Sequence, residues 1–253
     1  MTAKDKIEAA FKVFIGGCAL ISTFYAITDL TLFLSNPNPN VNTEKPLSGR
    51  DYWASVCKTL FIDQLLLVAF LLVHSVLALP EVKQFVASTL KFQVLQRSAY
   101  VILTSLSLQF LVRNWQHVHG TEFWSISTDV KLYWWLFVTL HGLAWVVIYV
   151  GTICMDVNEL LGIKQVYYNI QHLPDPNIYK SHELKRLYSH MRHPSFVGFS
   201  IILWLIPCMS LDRLLLATIL SIYMFLGWNT DRHDCNYQKL QFIKKFHEFN
   251  YVQ

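Results

Sequence analysis

Residues 132–155 read Leu-Tyr-Trp-Trp-Leu-Phe-Val-Thr-Leu-His-Gly-Leu-Ala-Trp-Val-Val-Ile-Tyr-Val-Gly-Thr-Ile-Cys-Met, 24 positions without one Asp, Glu, Lys or Arg. About 20 apolar residues in helical form cross the hydrocarbon core of a bilayer. A lipid-embedded segment must also satisfy its own backbone, which favours helix. Outward from this stretch, residues 13–34, 59–79, 98–112, 194–211 and 214–230 likewise lack Lys, Arg and Glu. All six stretches together hold 117 residues, and only Asp29 and Asp63 of the 38 charged side chains. The whole chain of 253 residues is 53% hydrophobic and 15% charged, against roughly a quarter charged in soluble domains. The expected fold is all-α: one integral membrane domain over residues 1–253, a bundle of about six transmembrane helices. The spans fall near 13–34, 59–79, 94–112, 132–155, 195–210 and 212–230, the last two forming a C-terminal helical hairpin. A soluble enzyme domain, a disordered tail and a secreted disulfide scaffold are excluded.

Charge and cysteine usage narrow the partners. The formal net charge of +4 is small and scattered, so no direct nucleic-acid binding is expected and the lipid bilayer is the first partner. Cys18, Cys57, Cys154, Cys208 and Cys235 are dispersed, with no Cys-x-x-Cys pair. That is neither a disulfide framework nor a zinc site. No cleavable signal peptide or lipidation motif is expected. Fifteen of the 21 basic residues lie in the N-terminal tail, the alternate loops around 83–97 and 164–192, and the C-terminal tail. The positive-inside rule then places both termini on the cytoplasmic or nucleoplasmic side, which an even number of spans requires.

Punctuation between the stretches is clear in places. Asn36-Pro37-Asn38-Pro39-Asn40 cannot continue a helix and reads as an extended loop. Span three is short and draws on Val94 and Leu95, with Arg97 snorkelling at its end. Pro207 is expected to kink the first arm of the hairpin, and a re-entrant pair that does not fully cross is the alternative. Within the polar loop 156–193, Leu184, Leu187, Tyr188 and Met191 recur at helical spacing and predict an amphipathic helix on the membrane surface or the bundle. Phe242, Ile243, Phe246 and Phe249 mark a second amphipathic stretch in the tail at 235–253.

Polar residues inside apolar stretches are the candidate sites. Asp63 and His74 are separated by nearly three helical turns and share a face, as do Gln64 and Ser75. Either this face lines a ligand cavity, with Asp63, His74 and Ser75 on the substrate side, or it bonds neighbouring helices, for example through Ser105 or Gln109. Tyr188, Arg192, His193, Pro194 and Gly198 form the densest cluster. Pro194 suits the first turn of span five, whose free amides attract an anion. Gly198 permits close approach of a ligand or of another helix. On spacing alone the cluster also reads as a basic interfacial anchor. His190 with His193, or His117 with His119, are weak metal pairs, and no metal is expected. Asp231-Arg232-His233-Asp234 reads by itself as a solvated charge cluster.

Several blocks resemble a known family. His74-Ser75, Leu95-Gln96-Arg97-Ser98-Ala99-Tyr100-Val101, Leu161-Gly162-Ile163-Lys164-Gln165-Val166-Tyr167-Tyr168, Arg192-His193-Pro194 and Asp212-Arg213-Leu214-Leu215-Leu216-Ala217 resemble the nurim family of multi-pass nuclear-envelope proteins. They come in that family's order over most of the chain after residue 65. The nurim family is in turn distantly similar to the methanethiol S-methyltransferase and isoprenylcysteine carboxyl methyltransferase families. There an Arg-His-Pro block opens a helical hairpin, an acidic pair follows, and S-adenosylmethionine binds in the C-terminal half. The resemblance implies an isoprenylcysteine-methyltransferase-like bundle in the inner nuclear membrane. It implies a cofactor pocket at Tyr188, Arg192, His193, Pro194, Gly198, Asp231 and Asp234. It departs at two places: the family's Gly two residues before the tyrosine is Arg186, and its tandem glutamates correspond to Asp231-Arg232, with Asp234 nearby. An Arg in place of an acid opposes a sulfonium cation. Two readings follow. One is a nurim-like membrane protein of structural or unknown role with a degenerate methyltransferase-type pocket. The other is an active S-adenosylmethionine-dependent methyltransferase acting on a small thiol or lipid-like acceptor. A scaffold that binds a soluble partner through residues 178–191 is a third.

Overall fold

The computed structural model of the chain describes residues 2–36, 49–90, 93–118, 120–191 and 193–251. Among them run α1 (Ala3–Ser35), α2 (Arg50–Val76), α3 (Pro80–Leu90), α4 (Gln96–Asn114), β1 (Glu122–Ser125), α5 (Lys131–Cys154), α6 (Val157–Leu160), α7 (Ile163–Ile170), a 3-10 turn (Pro176–Tyr179), α8 (His182–His190), α9 (Phe196–Trp204), β2 (Cys208–Ser210), α10 (Leu211–Leu226) and α11 (Arg232–Tyr251). The expected loop at residues 37–40 and the residues Arg192 and His119 lie outside the described residues, as do the side chains of Phe242, Phe246 and Phe249. Helix α3 and the small sheet were not foreseen.

Three helices among the described residues are long and apolar enough to cross a membrane: α1, α2 and the Lys131–Ile153 part of α5. Their outward faces carry large apolar side chains, with Phe24, Phe61 and Ile153 exposed by 67%, 62% and 68%. An apolar exterior on this scale is a lipid-facing one, and the chain is a membrane protein. Helix α1 starts well before its apolar stretch because Thr2 and Asp5 form a capping box. The Thr2 hydroxyl takes the Asp5 amide and the Asp5 carboxylate takes the Thr2 amide, satisfying two donors at the helix start.

Side-chain bonds fix the order of packing. The Gln109 amide donates to the Ser22 carbonyl at 3.1 Å, the Thr23 and Ser105 hydroxyls lie 3.4 Å apart, and Arg113 pairs with Asp29 at 2.8 Å. Ser105 and Gln109 of α4 therefore face α1 and not the polar face of α2, with which one of the two sequence readings had paired them. Leu67, Leu111, Ala144, Ile148, Ile202, Leu216 and Ala217 are buried together where α2, α4, α5, α9 and α10 meet.

The hairpin differs from expectation. Helix α9 has only nine residues, about 13 Å of rise, where one helical arm over 195–210 was expected. Pro207 lacks an amide donor, and Cys208–Ser210 leaves the helical path to pair antiparallel with β1. The Pro207 carbonyl accepts from Ile126 N at 2.8 Å. The second arm then runs as α10.

A knot of buried polar groups closes this end. Asp212 and Asp63 are both fully buried. The Asp212 carboxylate accepts from Trp115 Nε1 at 3.1 Å, His117 Nδ1 at 3.1 Å, Val118 N at 3.2 Å and Ser210 Oγ at 2.5 Å. Asp63 Oδ1 accepts from Gln116 N at 3.0 Å. The segment after α4 is thus held between two carboxylates, each taking donors that a buried backbone cannot leave unpaired.

Candidate functional site

At the opposite end of the bundle, four rings converge. His74 lies near the end of α2, Tyr100 in the second turn of α4, His193 just before α9, and Tyr223 near the end of α10. Tyr100 Oη and His74 Nδ1 are 3.1 Å apart. The His74 ring lies 6.1 Å from His193 and 6.1 Å from Tyr223, and His193 lies 5.3 Å from Tyr223. Ser75 Oγ and Tyr223 Oη are 3.0 Å apart, and Phe70 stacks on His74. A Cβ on Gly227 would stand 2.9 Å from His193 Cδ2, so the absent side chain is what admits the His193 ring. His74 and Ser75, read from the sequence as substrate-side residues, do meet His193. Asp63 does not: eleven residues of helix put it about 16 Å away along α2, in the Asp212 knot.

The cluster is roofed by the loop between α6 and α7. Arg97 Nε donates to the Leu160 carbonyl at 2.7 Å while its guanidinium lies 5.3 Å from the Tyr100 ring centre. Ser98 Oγ donates to the Leu161 carbonyl at 3.2 Å. Beyond the roof, Lys180 stands 4.8 Å from the Tyr188 ring centre and bonds to Glu159, and Lys164 bonds to Asp156 at 2.7 Å. The Lys164 hydrogen bond holds the Asp156 carboxyl below its ordinary value, and that bond in turn raises Lys164. Burial pushes the Tyr188 phenol up. Tyr188 therefore belongs to this lysine network.

Pro194 sits in a turn closed by Phe196 N to the His193 carbonyl at 3.1 Å, before the helix and not in its first turn. Gly198 faces α5: a Cβ there would meet Ile148 Cγ1 at 2.6 Å and the Ala144 carbonyl at 3.1 Å. Of its two sequence readings, close approach of another helix is the one the geometry shows.

The acidic residues form a clasp. Arg186 of α8 bonds to Asp231 and reaches Asp234 at 3.8 Å, and His190 Nδ1 bonds to Asp234 at 2.6 Å. Asp231 and Asp234 also cap α11 reciprocally, through Asp234 N to Asp231 Oδ1 at 2.9 Å and Asp231 N to Asp234 Oδ2 at 3.2 Å, which satisfies two of the helix's free amides. The His190 hydrogen bond holds the Asp234 carboxyl below its ordinary value. His190, Asp231 and Asp234 offer ligand atoms within 4.8 Å of one another, and in this structure those atoms are engaged with Arg186 and with each other. Arg232 is exposed, so the charge that meets the acids comes from Arg186. Leu184, Leu187, Tyr188 and Met191 of the foreseen amphipathic helix face the body of the protein, and the Met191 strand-like bridge to Trp228 extends the clasp.

Over 231 residues the chain is 40% identical to the nurim homolog of Drosophila pseudoobscura pseudoobscura, covering 89% of this chain and 91% of that one. The chain belongs to the nurim family. Nurim of Danio rerio is 38% identical over 241 residues, 94% of this chain and 86% of that one, and nurim of Bos taurus is 38% identical over 196 residues, 76% and 74%. No protein-family model matches the chain, and no solved structure does. Two blocks that carried the nurim resemblance are explained by the geometry, since Arg97-Ser98 and Leu161-Gly162 are the two sides of one contact. Tyr100, Tyr223, Arg186 and the Asp212 knot were not read as site residues. A phenol in an apolar helix, which must find a partner, was the signal for the first two.

Proposed function

We propose that the chain is a multi-pass protein of the inner nuclear membrane with an even number of crossings and a structural role, in which the short α9 and α10 form a hairpin that does not fully cross and the methyltransferase-type pocket is degenerate. One observation carries this reading: Arg186 occupies Asp231 and Asp234, the acids that the family likeness would give to a cofactor. A sulfonium ion would have to displace an internal cation that is covalently tethered beside them. The described residues therefore do not fit S-adenosylmethionine as they stand. The alternative, methyl transfer to a small thiol or lipid-like acceptor, draws on the convergence of His74, Ser75, His193 and Tyr223.

Calorimetry separates the two. Purified protein in mild detergent is expected to give no saturable heat with S-adenosylmethionine or S-adenosylhomocysteine at affinities tighter than about 1 mM, or about −4 kcal/mol. Micromolar binding that is lost in His193→Ala and kept in Lys244→Ala would overturn the proposal in favour of the enzyme.

An even number of crossings puts both termini on one face, the cytoplasmic or nucleoplasmic one by the positive-inside rule, because 15 of 21 basic residues fall there. A glycosylation acceptor fused to either end is expected to stay unmodified. Modification of one of them would leave an odd number of crossings and end that proposal.

A further inference from the structure

We infer that the end of the bundle opposite the four rings holds a binding site for an amphipathic organic anion, a single apolar chain ending in a carboxylate or phosphate. A cavity of about 780 Å³ opens there, between α5, the end of α1 and the β1–β2 ribbon. That volume lies in the range of small-molecule sites, roughly 300–1,000 Å³. Its lining divides by chemistry. Trp134, Phe137 and Val138 of α5 supply an apolar wall, and Arg213, His141 and Ser210 supply polar groups.

Arg213 decides the charge of the ligand. It is only 8% exposed. Its guanidinium donates to the carbonyls of Leu34 at 3.3 Å, Phe33 at 3.3 Å and Asn36 at 2.9 Å. Among the described residues no carboxylate forms an ion pair with it. Its neighbour Asp212 is already committed to Trp115, His117, Val118 and Ser210. Carbonyls at the end of α1 favour a cation and hold the guanidinium at the cavity, where among the described residues Asp212 behind it is the carboxylate that offsets part of its charge and an anion on the cavity side gains charge-assisted hydrogen bonds. His141 Nε2 donates to the Leu205 carbonyl at 2.8 Å, which leaves Nδ1 as an acceptor for a hydroxyl or protonated head. The acids on the lining, Glu122 and Asp129, are exposed on the ribbon side. They disfavour a second negative charge at that side. Trp134 and Val138 are exposed by 42% and 43%, so the apolar wall continues to the lipid-facing surface and a chain can leave along it.

The probes are a fatty acid and a lysophosphatidic acid, each brominated in mid-chain, with brominated lysophosphatidylcholine for comparison. Bromine quenches tryptophan, and Trp134 and Trp145 line the cavity. Purified protein in mild detergent is expected to show saturable quenching by an anionic probe and about tenfold weaker binding of the zwitterion. The fatty acid and the phosphate arms identify the head. Arg213→Gln is expected to cost the anion about tenfold or more. Because Arg213 also ties α1 to α10, a second pair of variants keeps the test open. Gly142 lines the cavity, Gly151 lies on the same helix outside it, and a Cβ on either meets nothing within 4 Å. Gly142→Leu should abolish saturable quenching, and Gly151→Leu should leave it intact. No saturation by either anion, equal quenching by the zwitterion, or the same response in both leucine variants would overturn the assignment.

Discussion

Asp212→Ala is expected to lower the melting temperature of the detergent-solubilised protein by about 10 °C or more. The carboxylate takes four donors, and it is fully buried. Alanine would leave the Trp115 indole N–H and the Val118 amide in an apolar interior with no acceptor. Each orphaned donor costs about 1–3 kcal/mol, and breaking a buried charged network typically costs about 3–5 kcal/mol. In a chain of this size each kcal/mol moves the midpoint by roughly 2–4 °C. Asp212→Asn keeps one acceptor oxygen and should lose less. Asp129→Ala removes an exposed carboxylate bonded to Ser127 and should stay within about 0.5 kcal/mol of the parent. Tryptophan fluorescence against temperature reads all three. If Asp212→Ala melts with the parent, the knot is not what fixes the segment after α4.

The same residues show how far the sequence could be read. Apolar stretches are legible because a bilayer sets their length, and α1, α2 and α5 came from that constraint alone. Periodicity places Asp63 and His74 on one face of α2. It carries no information about depth, so residues that share a face fell into two unrelated assemblies, one with Gln116 and one with Tyr100 and Tyr223. Ser105 and Gln109 turned to α1 for the same reason: a polar face announces that it needs a partner, not which helix supplies it. Strands of four and three residues are too short to leave an alternating pattern, so Cys208–Ser210 read as more helix. Arg186 was visible as a departure from the methyltransferase pattern, and so was the altered acidic pair. That the first departure, Arg186, neutralises the retained acid Asp231, 45 positions away, required the two to be seen in contact.

The nurim-family block Leu161-Gly162-Ile163 yields the other large effect. Gly162 sits at φ 84°, ψ 2°, a left-handed conformation that costs an L-residue about 1–2 kcal/mol. Space is the greater obstacle. A Cβ on Gly162 would stand 2.5 Å from Ser98 Oγ, 2.7 Å from Ser98 N and 3.1 Å from Arg97 Cβ. The hydroxyl could rotate away, but the amide belongs to the backbone of α4 and Ser98 is fully buried. Alanine must therefore push the loop between α6 and α7 off α4. That strips the Arg97 bond to Leu160 and the Ser98 bond to Leu161, and it opens the small core in which Leu161 packs on Ala19 and Val101. Strain, a lost buried hydrogen bond and overpacking of about 1–3 kcal/mol together predict a loss of about 3–5 kcal/mol, near 10 °C in melting temperature, or protein that elutes as aggregate. Gly17→Ala, in α1 with nothing within 4 Å of its Cβ, is the comparison. There the better helix former should hold or raise the midpoint by the equivalent of up to about 1 kcal/mol. Should Gly162→Ala melt alongside Gly17→Ala, the roof over His74 and Tyr100 would have to be far softer than a contact with helix backbone allows.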